Sequence, residues 1–248
     1  MSSSSPSMPP RIKPAFLPVV LGLALMGCIY FVFSGTPREA QMGEVYKIFY
    51  FHVGAAMACL SLFFFCAIAS IAYLVLRNRK GWGKLATTCD HAAFGMAEIG
   101  VLYGAIVLTT GPIWAKPAWG TYWNWEPRLT LLLLTFFLFV GYIVLRAYGQ
   151  REERVKNMAS GIAVVGIPAA LLTHFAIQLW KGGNHPQVVT GDGGGLAHPA
   201  MKQAFGLTVA VVALFAVYLV WMRIKTHRLR DETEMLFLDL SDLEDARR

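Results

Sequence analysis

Charge is scarce in this sequence. Of its 248 residues only 15% are Asp, Glu, Lys or Arg, against about 25% in soluble domains, and so low a share excludes an ordinary solvated surface around a single core. Cysteine is scarce too. There are four, with no Cys-x-x-Cys pair, so neither a thiol redox centre nor a thiolate metal site is indicated; Cys28, Cys59, Cys66 and Cys89 read as small buried apolar residues. Neither G-x-x-x-x-G-K-[S/T] nor G-x-G-x-x-G occurs, which leaves the chain without a nucleotide site of its own and assigns any ATP-driven step to a partner. Acidic residues are outnumbered by basic ones, 15 to 22. The placement of Lys and Arg described next explains that excess without a nucleic-acid partner.

What is abundant is apolar: 56% of the chain is hydrophobic. Runs long enough to cross a bilayer, about 20 residues each, lie near 15–34, 48–76, 92–111, 129–147, 159–179 and 203–223. They predict an all-α polytopic membrane protein, a bundle of six transmembrane helices over 15–224, between a disordered leader at 1–14 and a tail at 225–248. Arg11 and Lys13 precede the first run as in a signal sequence. Ser34-Gly35-Thr36-Pro37-Arg38 after it offers no small-x-small cleavage site, so a retained signal anchor is expected rather than a removed peptide.

Lys and Arg alternate in density from one connection to the next. Arg11 and Lys13, then Arg77, Arg79, Lys80 and Lys84, then Arg146, Arg151, Arg154 and Lys156, and finally Arg223, Lys225, Arg228 and Arg230 fall on one side. The other side has only pairs: Arg38 with Lys47, Lys116 with Arg128, and Lys181 with Lys202. By the positive-inside bias both termini are cytoplasmic, and the connections 112–128 and 180–202 face outwards. The tail carries seven acidic residues among Leu236, Phe237, Leu238, Leu240 and Leu243, a composition that suits either an amphipathic docking helix or a disordered segment. Glu98 is the one charge well inside a span, and reads as a polar path or as a group paired inside the bundle.

Four of the seven tryptophans, Trp114, Trp119, Trp123 and Trp125, crowd into twelve residues of an outward connection, beside Lys116, Tyr122, Glu126 and Arg128. An interfacial aromatic belt needs only scattered Trp and Tyr. Indole faces beside cations instead suit a large planar anionic ligand. Trp119, Tyr122, Trp123 and Glu126 are spaced i, i+3, i+4, i+7, which in a helix gathers them on one face, whereas Pro112 and Pro117 argue against a helix continuous with the third span. Of six histidines, His91 and His227 fall on the cytoplasmic side. His52, His174, His185 and His198 fall near the tryptophans; two of them, on separate segments, could clamp a haem iron from opposite faces, with Lys116 and Arg128 answering its propionates. Glycines at 182, 183, 191 and 193–195 flank His185 and give that loop backbone freedom.

Trp119-Gly-Thr-Tyr-Trp-Asn-Trp-Glu-Pro-Arg-Leu-Thr130, preceded by Thr110-Gly-Pro-Ile-Trp-Ala-Lys-Pro117, resembles the signature of the tryptophan-rich haem-handling membrane protein family of cytochrome c biogenesis, and within it the CcmC family. The likeness runs from about Val45 to Arg223. It implies that His52, in Tyr46-Lys-Ile-Phe-Tyr-Phe-His52, and His185, after His174-Phe-Ala-Ile-Gln-Leu-Trp180, ligate the iron of a non-covalently bound haem b. It implies too that the tryptophan stretch presents the haem to a periplasmic chaperone, CcmE, and that CcmA and CcmB, the subunits of an ATP-driven transporter, and the small subunit CcmD are partners. Such a chain is an inner-membrane haem carrier rather than a stand-alone enzyme. Glu126 stands where many members have Asp, Pro127 is as in system II relatives, and the glycine-rich stretch around Asp192 has no counterpart in the pattern. His174 is the alternative second ligand, with His198 behind it. The competing functions are a system II type cytochrome c synthase, a b-type electron-transfer subunit and a haem transporter.

Overall fold

The computed structural model describes residues 16–39, 42–149, 152–180, 196 and 198–246. The leader and the loop that holds His185 and the Gly191–Gly195 stretch lie outside the described residues. Six helices make up nearly all of the rest: α1 Phe16–Gly35, α2 Ile48–Leu76, α3 Gly83–Trp119, α4 Pro127–Tyr148, α5 Glu153–Leu179 and α6 Pro199–Asp245. A 3-10 turn, Glu44–Lys47, leads straight into α2. All six are long and apolar enough to cross a membrane, and the chain is a multi-pass helical membrane protein. No strand occurs among the described residues.

Short-range signals set the helix ends. α4 and α6 both begin with proline at the first helical position, Pro127 and Pro199, where the missing N–H costs nothing. His198 accepts the Ala200 amide at 3.2 Å through its own Nδ1 to cap α6. α3 stops because Gly120 adopts φ 77°, a left-handed conformation that glycine takes without strain.

Two expectations fail at this helix. α3 does not break at Pro112 or Pro117 but continues through both to Trp119. Each proline removes one backbone donor; just before the first, Thr109 and Thr110 turn their hydroxyls back to the carbonyls of Ala105 and Ile106, both at 2.8 Å, a local bonding pattern that lets a helix bend around a ring. The end of the helix is tied down twice at Gly120, whose N–H donates to Lys116 O at 2.9 Å and whose carbonyl accepts Lys116 Nζ at 2.8 Å. Conversely, Trp119, Tyr122, Trp123 and Glu126 do not share a helical face. The helix is over by Gly120, and residues 120–126 form an irregular turn.

α2 is the central helix, packed against α3, α5 and α6, while α4 lies between α3 and α5, and α1 rests mainly on α6. α2 and α3 run antiparallel in a constant register. A Cβ on Gly100 meets Phe63 Cε1 at 2.6 Å, one on Gly104 meets Cys59 Sγ at 3.3 Å, and one on Gly111 meets His52 Cε1 at 3.1 Å. Steps of four and seven residues on one helix match steps of four and seven on the other. Glycine lets the backbones close up where lipid gives no hydrophobic drive to pack. Across the next interface Phe63 stacks on Phe139 of α4, with ring centroids 3.9 Å apart and planes within 3°. All four cysteines are unbridged, and Cys28, Cys59 and Cys66 are buried.

Charge is concentrated at the end of the bundle away from the tryptophans. Buried Asp90 of α3 accepts Arg146 Nη2 of α4 at 2.9 Å and faces Lys156 Nζ at 3.5 Å. Glu98 is paired inside the bundle rather than open on a path: it holds Arg223 in a two-pronged pair and lies 2.8 Å from His227 Nε2. From Asp90 to Thr110, α3 rises about 30 Å, the thickness of the hydrocarbon core.

Candidate functional site

His52 sits one turn into α2, at the last step of the α2–α3 register. Its Nδ1 lies 2.9 Å from Thr110 Oγ1, and Thr110 Oγ1 in turn lies 2.8 Å from the carbonyl of Ile106. A hydroxyl has one proton. With that proton given to Ile106, the Thr110 oxygen can only accept, so in the neutral ring of His52 it is Nδ1 that carries the proton and Nε2 that keeps its lone pair. Gly111, the next residue, leaves room for the ring edge.

The imidazole forms part of the wall of a pocket whose cavity volume is about 50 Å³, below the ~300–1,000 Å³ typical of small-molecule sites. α3 adds Gly111, Trp114 and Trp119, the turn adds Tyr122 and Trp123, and α4 adds Arg128. Aliphatic groups such as Leu108, Leu129 and Leu132 close the floor. Trp114 and Trp119 meet edge to face at 5.7 Å. Trp123 is brought in by the turn itself: Thr121 Oγ1 donates to its carbonyl at 3.1 Å and accepts its amide at 3.4 Å. The indole N–H groups of Trp114 and Trp123 are both buried, and neither finds an acceptor among the described residues. A buried donor left unpaired costs about 1–3 kcal/mol, and two of them share this wall.

The pocket thus gathers six of the sequence-predicted residues: His52, Trp114, Trp119, Tyr122, Trp123 and Arg128. Lys116 and Trp125 stand at its rim. Lys116 Nζ lies over the Tyr122 ring at 5.3 Å, and Trp125 packs edge-on against Trp123 at 5.7 Å with most of its surface exposed. Glu126 is the residue capping α4. His174 is exposed on α5 with its ring against Phe175, while its neighbour Thr173 is the residue in the pocket wall. His198 is engaged as the α6 cap. His185 lies outside the described residues.

Thr110 and Gly111 had no assigned role in the sequence. Nothing in a Thr-Gly pair signals one; their meaning comes from the register that sets them against His52.

Six apolar helices, four of which (α2 to α5) contribute to an aromatic-walled pocket with a single oriented imidazole, define a polytopic membrane protein. A family model described as "Heme exporter protein C" matches residues 3–238, and the chain belongs to that family. It is similar to heme exporter protein C of Paracoccus denitrificans, 28% identical over 218 residues and 87% of each chain. It is also similar to that of Escherichia coli K12, 36% identical over 151 residues, which are 60% of this chain and 58% of the relative. A ccmC-like mitochondrial protein of cytochrome c biosynthesis from Marchantia polymorpha is 28% identical over 193 residues, 78% of this chain and 73% of the relative.

Proposed function

We propose that this chain holds haem, non-covalently and as haem b, in the tryptophan pocket and presents it for cytochrome c biogenesis. The observation that carries the reading is the oriented His52 ring: a neutral imidazole whose Nδ1–H is committed to Thr110 and whose Nε2 keeps its lone pair, in a wall with two unsatisfied indole donors. Bound haem supplies an iron with two axial positions, a flat macrocycle and two carboxylates. His52 and His185, the latter in the outer connection, would hold the iron. Trp114, Trp119, Tyr122 and Trp123 offer apolar faces to the macrocycle, and the N–H groups of Trp114 and Trp123 join Arg128 as partners for carboxylate oxygens. Lys116, Trp125 and Glu126 shape the rim that a partner meets.

The pocket faces the periplasm across the inner membrane, with both termini cytoplasmic, in keeping with the Lys and Arg bias. The chain is a carrier, and CcmE is the chaperone that receives the haem; CcmA, CcmB and CcmD complete the assembly. Glu98 is paired with Arg223 and His227 rather than open along the bundle, which favours presentation over passage. The test is the absorbance spectrum of the purified full chain with haem. His52→Ala and His185→Ala are each expected to diminish the low-spin bands, and together to abolish them. A spectrum unaltered by both changes overturns the assignment.

A further inference from the structure

α6 outruns the membrane. Its 47 residues rise about 70 Å, more than twice the ~30 Å hydrocarbon core, so roughly its last twenty residues stand clear at the charged end. The extension is anchored where it leaves the bundle: Asp231 meets His91 of α3 at 2.8 Å, and Arg228–Glu232 and Arg230–Glu234 pair along its surface at 2.8 and 3.4 Å. Beyond Asp231 it reaches about 20 Å further.

Leu229, Leu236, Leu240 and Leu243 are spaced i, i+7, i+11, i+14 on this arm, which places them within about 60° of arc. All four are 57–63% exposed. The arm's other side, through Arg230, Glu234, Phe237 and Leu238, lines a groove with Tyr148 and Glu152, so among the described residues the body of the protein covers none of the stripe. An apolar stripe of this kind on a solvated helix calls for cover.

Charge decides what the cover is. Residues 231–246 contain seven acidic side chains and no Lys or Arg. On the helical wheel Asp239, with Glu232 already paired to Arg228, flanks the leucines on one side and Glu244 on the other. Anionic lipid is repelled by such a surface, and a second copy sets one acidic arm against another; like charges brought together at an interface oppose binding.

We infer that the stripe is a docking site for a helix of another protein, one whose own apolar face is flanked by lysines and arginines. This is independent of what the pocket holds. The test uses the full chain in zwitterionic nanodiscs and two labelled helical peptides, a leucine-striped helix flanked by Lys and the same helix with Glu in place of Lys. The Lys peptide is expected to bind and the Glu peptide not to. The Leu236→Ala/Leu240→Ala variant keeps every charge and the helix, which circular dichroism checks, and is expected to weaken the Lys peptide at least tenfold. Equal affinity for that variant reduces the contact to charge alone and overturns the proposal. So does dimerisation of the chain through the arm, or slowed amide exchange over 229–245 when the discs are made of anionic lipid.

Discussion

At the scale of single residues, the site depends on one proton. Thr110 accepts from His52 only because its own proton is spent on Ile106. Thr110→Val keeps the side-chain shape and deletes the acceptor, leaving the Nδ1–H unpaired or the ring free to move its proton to Nε2. Loss of a group that orients a metal-binding histidine costs about 10–100-fold in affinity. Haem titration of the full chain, followed by absorbance, is therefore expected to weaken by that factor in Thr110→Val and to recover in Thr110→Ser. Undiminished affinity in the valine variant contradicts the role given to the hydroxyl. The indoles were visible as a cluster in the sequence, but the unpaired N–H groups of Trp114 and Trp123 were not, because pairing depends on what surrounds each ring.

At the scale of elements, the α2–α3 pair places the imidazole. Glycines at 100, 104 and 111 repeat a close approach that begins in the core and ends at His52. Gly100→Ala is expected to be destabilising, since a methyl there stands 2.6 Å from Phe63 Cε1 and Phe63 cannot retreat from Phe139, 3.9 Å behind it. Overpacking of this kind costs about 1–3 kcal/mol. Thermal unfolding in detergent should show a lowered Tm, whereas Gly161→Ala on α5, where a Cβ has nothing within 4 Å, should leave it level or raised. The tryptophan stretch departs from its sequence pattern at this scale. Helical spacing suggested a shared face and the prolines suggested a break, yet α3 runs through both prolines and ends at Gly120. The threonine hydroxyls accommodate the first proline, and the glycine takes a backbone conformation that ends the helix before the spacing can matter.

At the scale of the whole molecule, the two ends divide the work. Among the described residues, the pocket end holds an aromatic wall with two unpaired indole donors; the other end holds ion pairs, in which Arg146 still has Nε and Nη1 unpaired. Asp90 is the counter-charge for buried Arg146 and for Lys156. Asp90→Ala leaves Arg146 buried without it, a loss of about 3–5 kcal/mol. The expected result is a marked drop in Tm in detergent, with haem affinity of the protein that remains folded unchanged, because the change lies about 30 Å along α3 from the pocket. A haem affinity that falls together with Tm shows the two ends to be coupled.

Composition along the chain is enough to set the class of molecule. Six apolar runs leave a membrane as the only solvent that suits them, and one dense aromatic connection marks where chemistry gathers. Both readings rest on composition along short stretches, where the physics is local. It could not determine which of those side chains share a wall, how α3 ends, which ring nitrogen of His52 keeps its lone pair, or that Glu98 is already paired. Those depend on groups brought together from 58 residues apart in His52 with Thr110, or 125 in Glu98 with Arg223. Only packed helices fix such distances, and hydrogen bonds and close glycine contacts change over a few tenths of an ångström.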